Sequence, residues 1–234
     1  MMVEAEGPAD TRIMGVVHAA LRRDLDRTGR ELTTAPYPAA RQRRALGAHV
    51  LWMMSFLHDH HTNEDTGLWP LVRERNPEAA ALLDRLEADH QRIAPRIKDL
   101  EAAASSYAES TDDRARLRLV DALDALTDVL VPHLDREVEE AMPVVARSIT
   151  AREWEEWDQR YNVKGRSARQ LGLVGHFLID GVAEESRRLV VSLVPPVPRF
   201  VLLHGFAHTY RRAAAARWRT ETAVRTSTVV AGRG

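Results

Sequence analysis

The chain has 234 residues, a formal net charge of -1 and no cysteine. The absence of cysteine excludes disulfides, zinc–cysteine sites, iron–sulfur clusters and thiol catalysis. Acidic and basic residues are interspersed along the chain, so it has no basic patch of the kind that binds nucleic acid.

The first 148 residues predict four long helices, because their apolar residues recur at helical spacing and no strand-like alternation is present. The predicted helices run from Thr11 to Arg27, from Ala39 to about Asn76, from Pro77 to about Ala104 and from Asp113 to Ser148. Short loops between long helices favour antiparallel neighbours. We therefore predict an all-α fold, with residues 1–148 forming an up-down-up-down four-helix bundle.

Residues 149–219 predict a C-terminal helical extension, followed by a disordered tail over residues 220–234. Thr150 and Glu153 have the spacing of a capping box and open a short helix that ends near Arg160. Further helices are expected over Ser167–Leu193 and Arg199–Trp218, separated by prolines. The apolar residues of this extension must pack on the bundle or on a second subunit, so a homodimer through the extension is one alternative.

Six metal-ligand-type residues form one triplet that occurs twice. The first copy is His18, His60 and Glu64, and the second is His90, His133 and Glu137. Each copy contains a His-x-x-x-Glu pair, whose side chains lie one turn apart on the same helix face. A repeat that preserves imidazoles and carboxylates predicts a symmetric metal site between helices.

All six residues occupy positions that otherwise hold core side chains. His18 stands in the apolar series of the first helix between Met14 and Leu21, and each of the other five continues a similar series. A buried, unpaired carboxylate would be costly, and bound cations would remove that cost. The alternative is a set of hydrogen-bonded core histidines, which we disfavour because four histidines and two glutamates share the same layer.

The donor set favours two iron ions over other metals. Six protein donors exceed the three of an open catalytic zinc site, yet they do not fill two octahedral positions. Imidazole-rich donors favour iron, copper, nickel or zinc over magnesium or calcium. The expected cofactor is therefore a pair of iron ions with an oxo or hydroxo bridge and a vacant position for a small ligand.

The ordered set of His18, His60-x-x-x-Glu64, His90 and His133-x-x-x-Glu137 resembles the hemerythrin-like, HHE cation-binding family over about residues 11–148. The resemblance implies a di-iron centre bridged by both carboxylates, which binds oxygen or, in some bacterial members, peroxide or nitric oxide. Oxygen-carrying hemerythrins place a second histidine four residues from that of the third helix. Here Leu86 and Ala94 occupy those positions, which predicts that one iron lacks a ligand.

The remaining histidines and the tyrosines receive weaker predictions. His49, His58 and His61 fall outside the apolar series and are expected at the surface or behind the ligands, although His61 could pair with Asp65 in a shifted register. His176, His204 and His208 are expected to be solvated or hydrogen-bonded. One tyrosine could fold over the site as a further ligand; the candidates are Tyr37, Tyr107, Tyr161 and Tyr210. Pro95 and Pro132 interrupt helices near the site and predict either a widened pocket or ordinary curvature.

The leading functional hypothesis is a di-iron protein that decomposes hydrogen peroxide or a related small oxidant. The first alternative is non-catalytic binding, sensing or storage of oxygen, nitric oxide or iron, and the second is a metal that only stabilises the bundle. We expect a cytoplasmic protein without nucleic-acid or membrane partners. The most apolar stretch, Leu189–Phe206, contains three prolines and Arg199 and does not suit a membrane span.

Overall fold

The computed structural model describes residues 6–194 and 196–218, and all regular secondary structure in these ranges is helical. The predicted all-α class is thus confirmed. The α-helices are α1 (Arg12–Thr33), α2 (Ala40–Asn63), α3 (Trp69–Arg75), α4 (Ala80–Glu109), α5 (Asp113–Arg136), α6 (Met142–Ser148), α7 (Ala151–Asp158), α8 (Ala168–Ile179), α9 (Glu184–Ser192), α10 (Pro196–Gly205) and α11 (Ala207–Arg217). Within the described ranges, no helix combines the length and apolar character needed to cross a membrane.

Two of the long helices continue beyond their predicted ends. Gly29 does not stop α1, which runs to Thr33 and buries Leu32. The third helix passes Ala104 and ends at Glu109, because Tyr107 is also buried in the core. Burial of these apolar side chains outweighs the weak helix propensity of one glycine and two serines, which costs at most about 1 kcal/mol per residue.

The predicted second and fourth helices each contain a π-helical turn that the sequence pattern did not indicate. The first turn covers Glu64–Leu68 between α2 and α3, and the second covers Glu137–Ala141 between α5 and α6. A π turn inserts one extra residue and so rotates the following segment about the helix axis. As a result, the glutamate that opens each turn and the apolar residues after it are both buried.

A proline follows each π turn and helps to explain its position. Pro70 and Pro143 stand in the first turn of α3 and α6, where the missing N–H is tolerated. In a continuous α-helix, Pro70 would leave the carbonyl of Thr66 without its donor. The hydroxyl of Tyr161 lies 3.4 Å from that carbonyl oxygen and donates to it. By contrast, Pro95 and Pro132 remain inside continuous α4 and α5.

The long helices form a helical bundle in which α2 packs on α4, α4 on α5 and α5 on α1. Its interior contains two apolar clusters. The larger includes Leu21, Leu57 and Leu130, and the smaller includes Met14, Leu68 and Leu86. The predicted ligands of each helix lie between residues of the larger cluster and residues of the smaller one, so they form a polar layer between two apolar ones.

The C-terminal extension packs on the bundle through α8 against α1 and through α11 against α2. The predicted capping box of Thr150 and Glu153 is confirmed. Ala151 donates its N–H to the carbonyl of Gly7 at 2.7 Å, so the N-terminal segment is tied to the start of α7. A homodimer through the extension stays a prediction.

Two predicted helices of the extension are each divided. The range Ser167–Leu193 contains α8 and α9, because Gly181 adopts a φ of 67° that ends helical geometry. The last helix, predicted from Arg199, begins earlier, at Pro196, and is divided into α10 and α11 with Phe206 between them. The ring of Phe206 lies so close to Gly172 that a Cβ there would approach it to 2.4 Å. The predicted disordered tail, residues 220–234, lies outside the described residues.

A buried polar network joins the extension to the bundle. Asp24 is fully buried and lies 2.8 Å from Nε2 of His49 and 3.1 Å from the guanidinium of Arg27, which also pairs with Asp180 of the extension at 2.7 Å. The prediction that His49 lies at the surface or behind the metal ligands was wrong, because His49 is buried and pairs with the carboxylate of Asp24. Burial alone would raise the pKa of Asp24, but the hydrogen bond from His49 and the charge of Arg23 hold that pKa well below its ordinary value.

We predict that Asp24→Ala lowers the free energy of unfolding by roughly 3 kcal/mol, because it leaves buried polar groups without their carboxylate. Asp26→Ala is the matched control, since Asp26 is an exposed aspartate on the same helix; its effect should stay within about 0.5 kcal/mol. Urea denaturation at pH 7 measures both values. Equal destabilisation by the two variants would contradict a structural role for the network.

Candidate metal centre

The structure brings the six sequence-predicted residues together in the polar layer, and each of them is at most 9% exposed. His18 comes from α1, His60 from the last turn of α2, His90 from α4 and His133 from the last turn of α5. The two carboxylates open the two π turns. Each His-x-x-x-Glu pair therefore spans the junction between an α-helix and a π turn, which directs both side chains into the layer.

One half of the layer contains His18 and His60. Their Nε2 atoms lie 3.2 Å apart. The Nε2 of His18 is 3.4 Å from Oε2 of Glu137, and the Nε2 of His60 is 3.3 Å from Oε1 of Glu64. Three of these residues, His18, His60 and Glu137, offer ligand atoms that all lie within 4.8 Å of one another.

The other half contains His90 and His133, whose ring centroids are 4.7 Å apart. The Nε2 of His90 lies 3.6 Å from Oε2 of Glu64, and that of His133 lies 3.5 Å from Oε2 of Glu137. Each glutamate thus faces one histidine from each half. Two carboxylates therefore lie between two groups of imidazoles, and this set of donors suits the binding of cations.

His61 joins the second half, contrary to the prediction that it lies at the surface or behind the ligands. Its side chain is buried, and its ring stacks on His90 with a centroid distance of 4.1 Å. Within residues 6–194 and 196–218, its Nε2 has no hydrogen-bond partner. Together with His90 and His133, it forms the second group of ligand atoms within 4.8 Å.

A signal for His61 was present in the internal repeat. The position that corresponds to it in the second copy, directly after His133, is Leu134, which is fully buried. A repeat position that holds a core leucine in one copy is a core position in the other. His61 therefore supplies from α2 the additional imidazole that Leu86 and Ala94 do not supply from α4.

Two carboxylates, the partly exposed Asp65 and the buried Asp89, and one backbone carbonyl face the outer nitrogens of the imidazoles. The Nδ1 of His90 lies 2.7 Å from Asp65, and that of His18 lies 3.3 Å from the carbonyl oxygen of Leu134. Asp89 lies 3.7 Å from Nδ1 of His133 and is held by Arg92 and Arg136. An Nδ1–H that donates outward leaves Nε2 unprotonated and directed at the centre, which is the form that binds a metal.

The electrostatics of the layer fit a bound cation. Seven inward atoms are buried and have no hydrogen-bond partner among the described residues; they are Nε2 of His61, His90 and His133 and the carboxylate oxygens of Glu64 and Glu137. Burial and the charge of Glu137 raise the pKa of Glu64 well above its ordinary value. Burial lowers the pKa of His60 and His61 far below theirs and that of His133 to about 2. Neutral imidazoles beside unpaired carboxylates are donors that lack only a cation.

The other candidate residues lie away from this layer. His58 and His204 are exposed, as expected, and His176 stacks on Tyr210 at 5.6 Å. Tyr210 donates to Asp180 and Tyr161 to Thr66, so neither hydroxyl points to the centre. The ring of Tyr37 lies under Arg116, and the side chain of Tyr107 is buried in the larger apolar cluster.

We predict that His60→Ala abolishes the dinuclear site and lowers the free energy of unfolding by about 2–4 kcal/mol, because His18 and the two glutamates lose a cation that they share with His60. His58→Ala is the matched control, because this exposed histidine lies on the same helix. Metal analysis and urea denaturation of the purified variants test both effects. A similar loss of metal in the two variants would contradict the assignment of His60 to the site.

Comparison with known proteins agrees with the geometry. A family model described as Hemerythrin HHE cation binding domain matches residues 10–145, whereas no curated protein and no solved structure matches the chain. The matched segment runs from α1 into α6 and contains both histidine groups and both glutamates, and the extension lies outside it. The resemblance predicted from the ordered motif is thereby confirmed. The chain belongs to the hemerythrin HHE cation-binding domain family.

Proposed function

We propose that the polar layer holds two iron ions and that the protein uses them to bind and decompose a small oxidant such as hydrogen peroxide. The observation that carries this proposal is the position of Glu64 and Glu137 between two groups of imidazoles. In the first group, His18 and His60 would hold one ion. In the second group, His61, His90 and His133 would hold the other, and both carboxylates would bridge the two ions.

The two groups differ in the number of protein donors. The first offers two imidazoles and two carboxylate oxygens, and the second offers three imidazoles and two carboxylate oxygens. Iron accepts six donors, so the first group leaves the larger number of positions for an exogenous ligand. Bound iron would supply redox and Lewis-acid chemistry at that position. We therefore place the oxidant beside His18 and His60, on the side where fewer imidazoles stand.

The protein's own residues orient the donors and exclude water. Asp65 holds His90 through Nδ1, and the carbonyl of Leu134 does the same for His18. The apolar clusters on both sides of the layer keep bulk water from the buried carboxylates. A low-dielectric surrounding strengthens the attraction between these carboxylates and cations.

His61 gives specific support to a second candidate function, which is reversible binding of oxygen or nitric oxide. The sequence favoured peroxide turnover because one iron lacked a histidine. His61 fills that place from α2, so the count of imidazoles equals that expected of an oxygen carrier. Under this alternative, the same open position beside His18 and His60 would hold the ligand without consuming it.

Further expectations belong to the same proposal. The four long helices are proposed to run up-down-up-down, which the short connections at residues 34–39, Asn76 and residues 110–112 favour. A cytoplasmic location fits a chain without cysteine.

The first test of the proposal is metal stoichiometry. Protein purified after iron-replete expression should contain two iron atoms per chain, with near-ultraviolet bands of a bridged ferric pair. His61→Ala should lower the iron content to about one atom per chain, because it removes a donor from the second group alone. Asp59→Ala, on the neighbouring helical surface, should keep both atoms. One metal atom in the unaltered protein, or zinc at full occupancy, would refute the di-iron assignment.

The second test separates turnover from binding. The iron-loaded protein should convert hydrogen peroxide to water and oxygen, and the rate should scale with bound iron. Glu64→Ala should lose this activity, because it removes one of the two bridging carboxylates, while His204→Ala should retain it. An oxygen electrode measures the rate. If peroxide is not consumed and the reduced protein forms a reversible coloured oxygen adduct, the binding function replaces the catalytic one.

A further inference from the structure

A cavity of about 480 Å³ lies between the bundle and the extension, and it is far larger than a small oxidant such as hydrogen peroxide requires. Its wall is mainly apolar and comes from both parts of the chain. Val17 and Phe56 belong to the bundle, and Trp154, Leu178 and Val190 belong to the extension. Cavities of this size hold small organic molecules. Water in a cavity with an apolar wall finds few hydrogen-bond partners, so such a cavity favours an apolar occupant.

One helical glycine in the wall leaves part of this space open. A Cβ on Gly175 would meet no atom within 4 Å, whereas a Cβ on Gly172 would collide with the ring of Phe206. Close packing against Phe206 therefore explains why residue 172 is a glycine. No such contact explains the glycine at position 175. Gly175 therefore leaves room in the cavity that a larger side chain would fill.

The charged residues of the wall include one cation without an acidic partner. Arg166 pairs with Asp59 at 3.1 Å, and Asp158 accepts a hydrogen bond from Asn162. Arg199 donates from Nε to the carbonyl of Val194 and forms no ion pair with a carboxylate in residues 6–194 and 196–218. Its remaining donors can bind the acidic group of a ligand.

We propose that this cavity binds an amphiphilic carboxylate, a molecule with an unbranched apolar chain of medium length and one anionic end. The chain would lie against the apolar wall and the carboxylate beside Arg199. His60 also lines the cavity, so the ligand would contact a residue of the first histidine group. Only this last consequence rests on the proposed di-iron function; binding itself does not.

The test uses decanoate as the probe and the full chain in both iron-loaded and metal-free forms. Decanoate should bind saturably at one site per chain and change the tryptophan fluorescence, because Trp154 and Trp157 line the cavity. Hexanoate should bind at least tenfold more weakly, because it covers less of the apolar wall. If neither the iron-loaded nor the metal-free form binds decanoate saturably, the proposal is overturned.

Variants locate the site. Gly175→Leu should fill the open space and weaken decanoate binding at least tenfold, with unchanged far-ultraviolet circular dichroism. Gly15→Leu is the matched control, since Gly15 is also a helical glycine with open space and does not line the cavity; it should stay within twofold of the unaltered protein. Val191→Phe fills the cavity from α9 and replaces Gly175→Leu if that variant does not fold. Unchanged decanoate binding in the filled variant would refute the location.

The acidic end is tested separately. Arg199→Gln should weaken binding of decanoate about tenfold and leave that of 1-decanol within twofold, because the alcohol carries no charge. Equal effects on the two probes would overturn the role of Arg199 and with it the carboxylate class. In the iron-loaded protein, decanoate should also shift the near-ultraviolet bands through His60. Binding to the metal-free form remains measurable if the di-iron assignment fails, so the two proposals can fail independently.

Discussion

Two carboxylates buried side by side impose the main physical constraint on this protein. Glu64 and Glu137 are fully buried, and in the part of the chain that the structure describes their carboxylate oxygens have no hydrogen-bond partner. The loss of water and the charge of Glu137 raise the pKa of Glu64 well above its ordinary value. A cation shared by the two carboxylates makes their burial side by side favourable, because each carboxylate then becomes a ligand. Burial lowers the pKa values of His18, His60, His61 and His133, so these imidazoles are neutral donors in the same layer.

The helices are shaped to keep this layer in place. Each glutamate opens a π turn, and the following segment returns its apolar residues to the core, where Trp69 and Val145 are fully buried. Without the extra residue, Trp69 and Met142 would lie about 140° around the helix axis from Glu64 and Glu137, away from the face that carries the glutamates. The apolar clusters above and below then restrict the side chains to the layer and exclude water.

The extension is attached to the bundle by both polar and apolar contacts. The network around Asp24 joins α1 and α2 to Asp180, while Phe177 packs in the larger core cluster. These contacts close one side of the cavity that reaches His60. The family match covers the bundle and not the extension. The features that distinguish this chain from a minimal cation-binding domain thus lie where the extension meets the ligand layer.

The sequence by itself determined the helical class, the polar layer and its six repeated residues, because helical periodicity identifies which positions face a core. The helix cap at Thr150 was also predicted correctly, because it depends only on residues close to it in the sequence. Tertiary structure decided His61, His49 and the π turns. Periodicity locates the centre of a buried helix face, but the width of that face depends on the neighbouring helices. His61 and His49 lie at its edges, where only the packing of α4 and of the extension determines burial. The π turns follow from the need to bury both a glutamate and the residues after it, a conflict that arises only when the helices assemble.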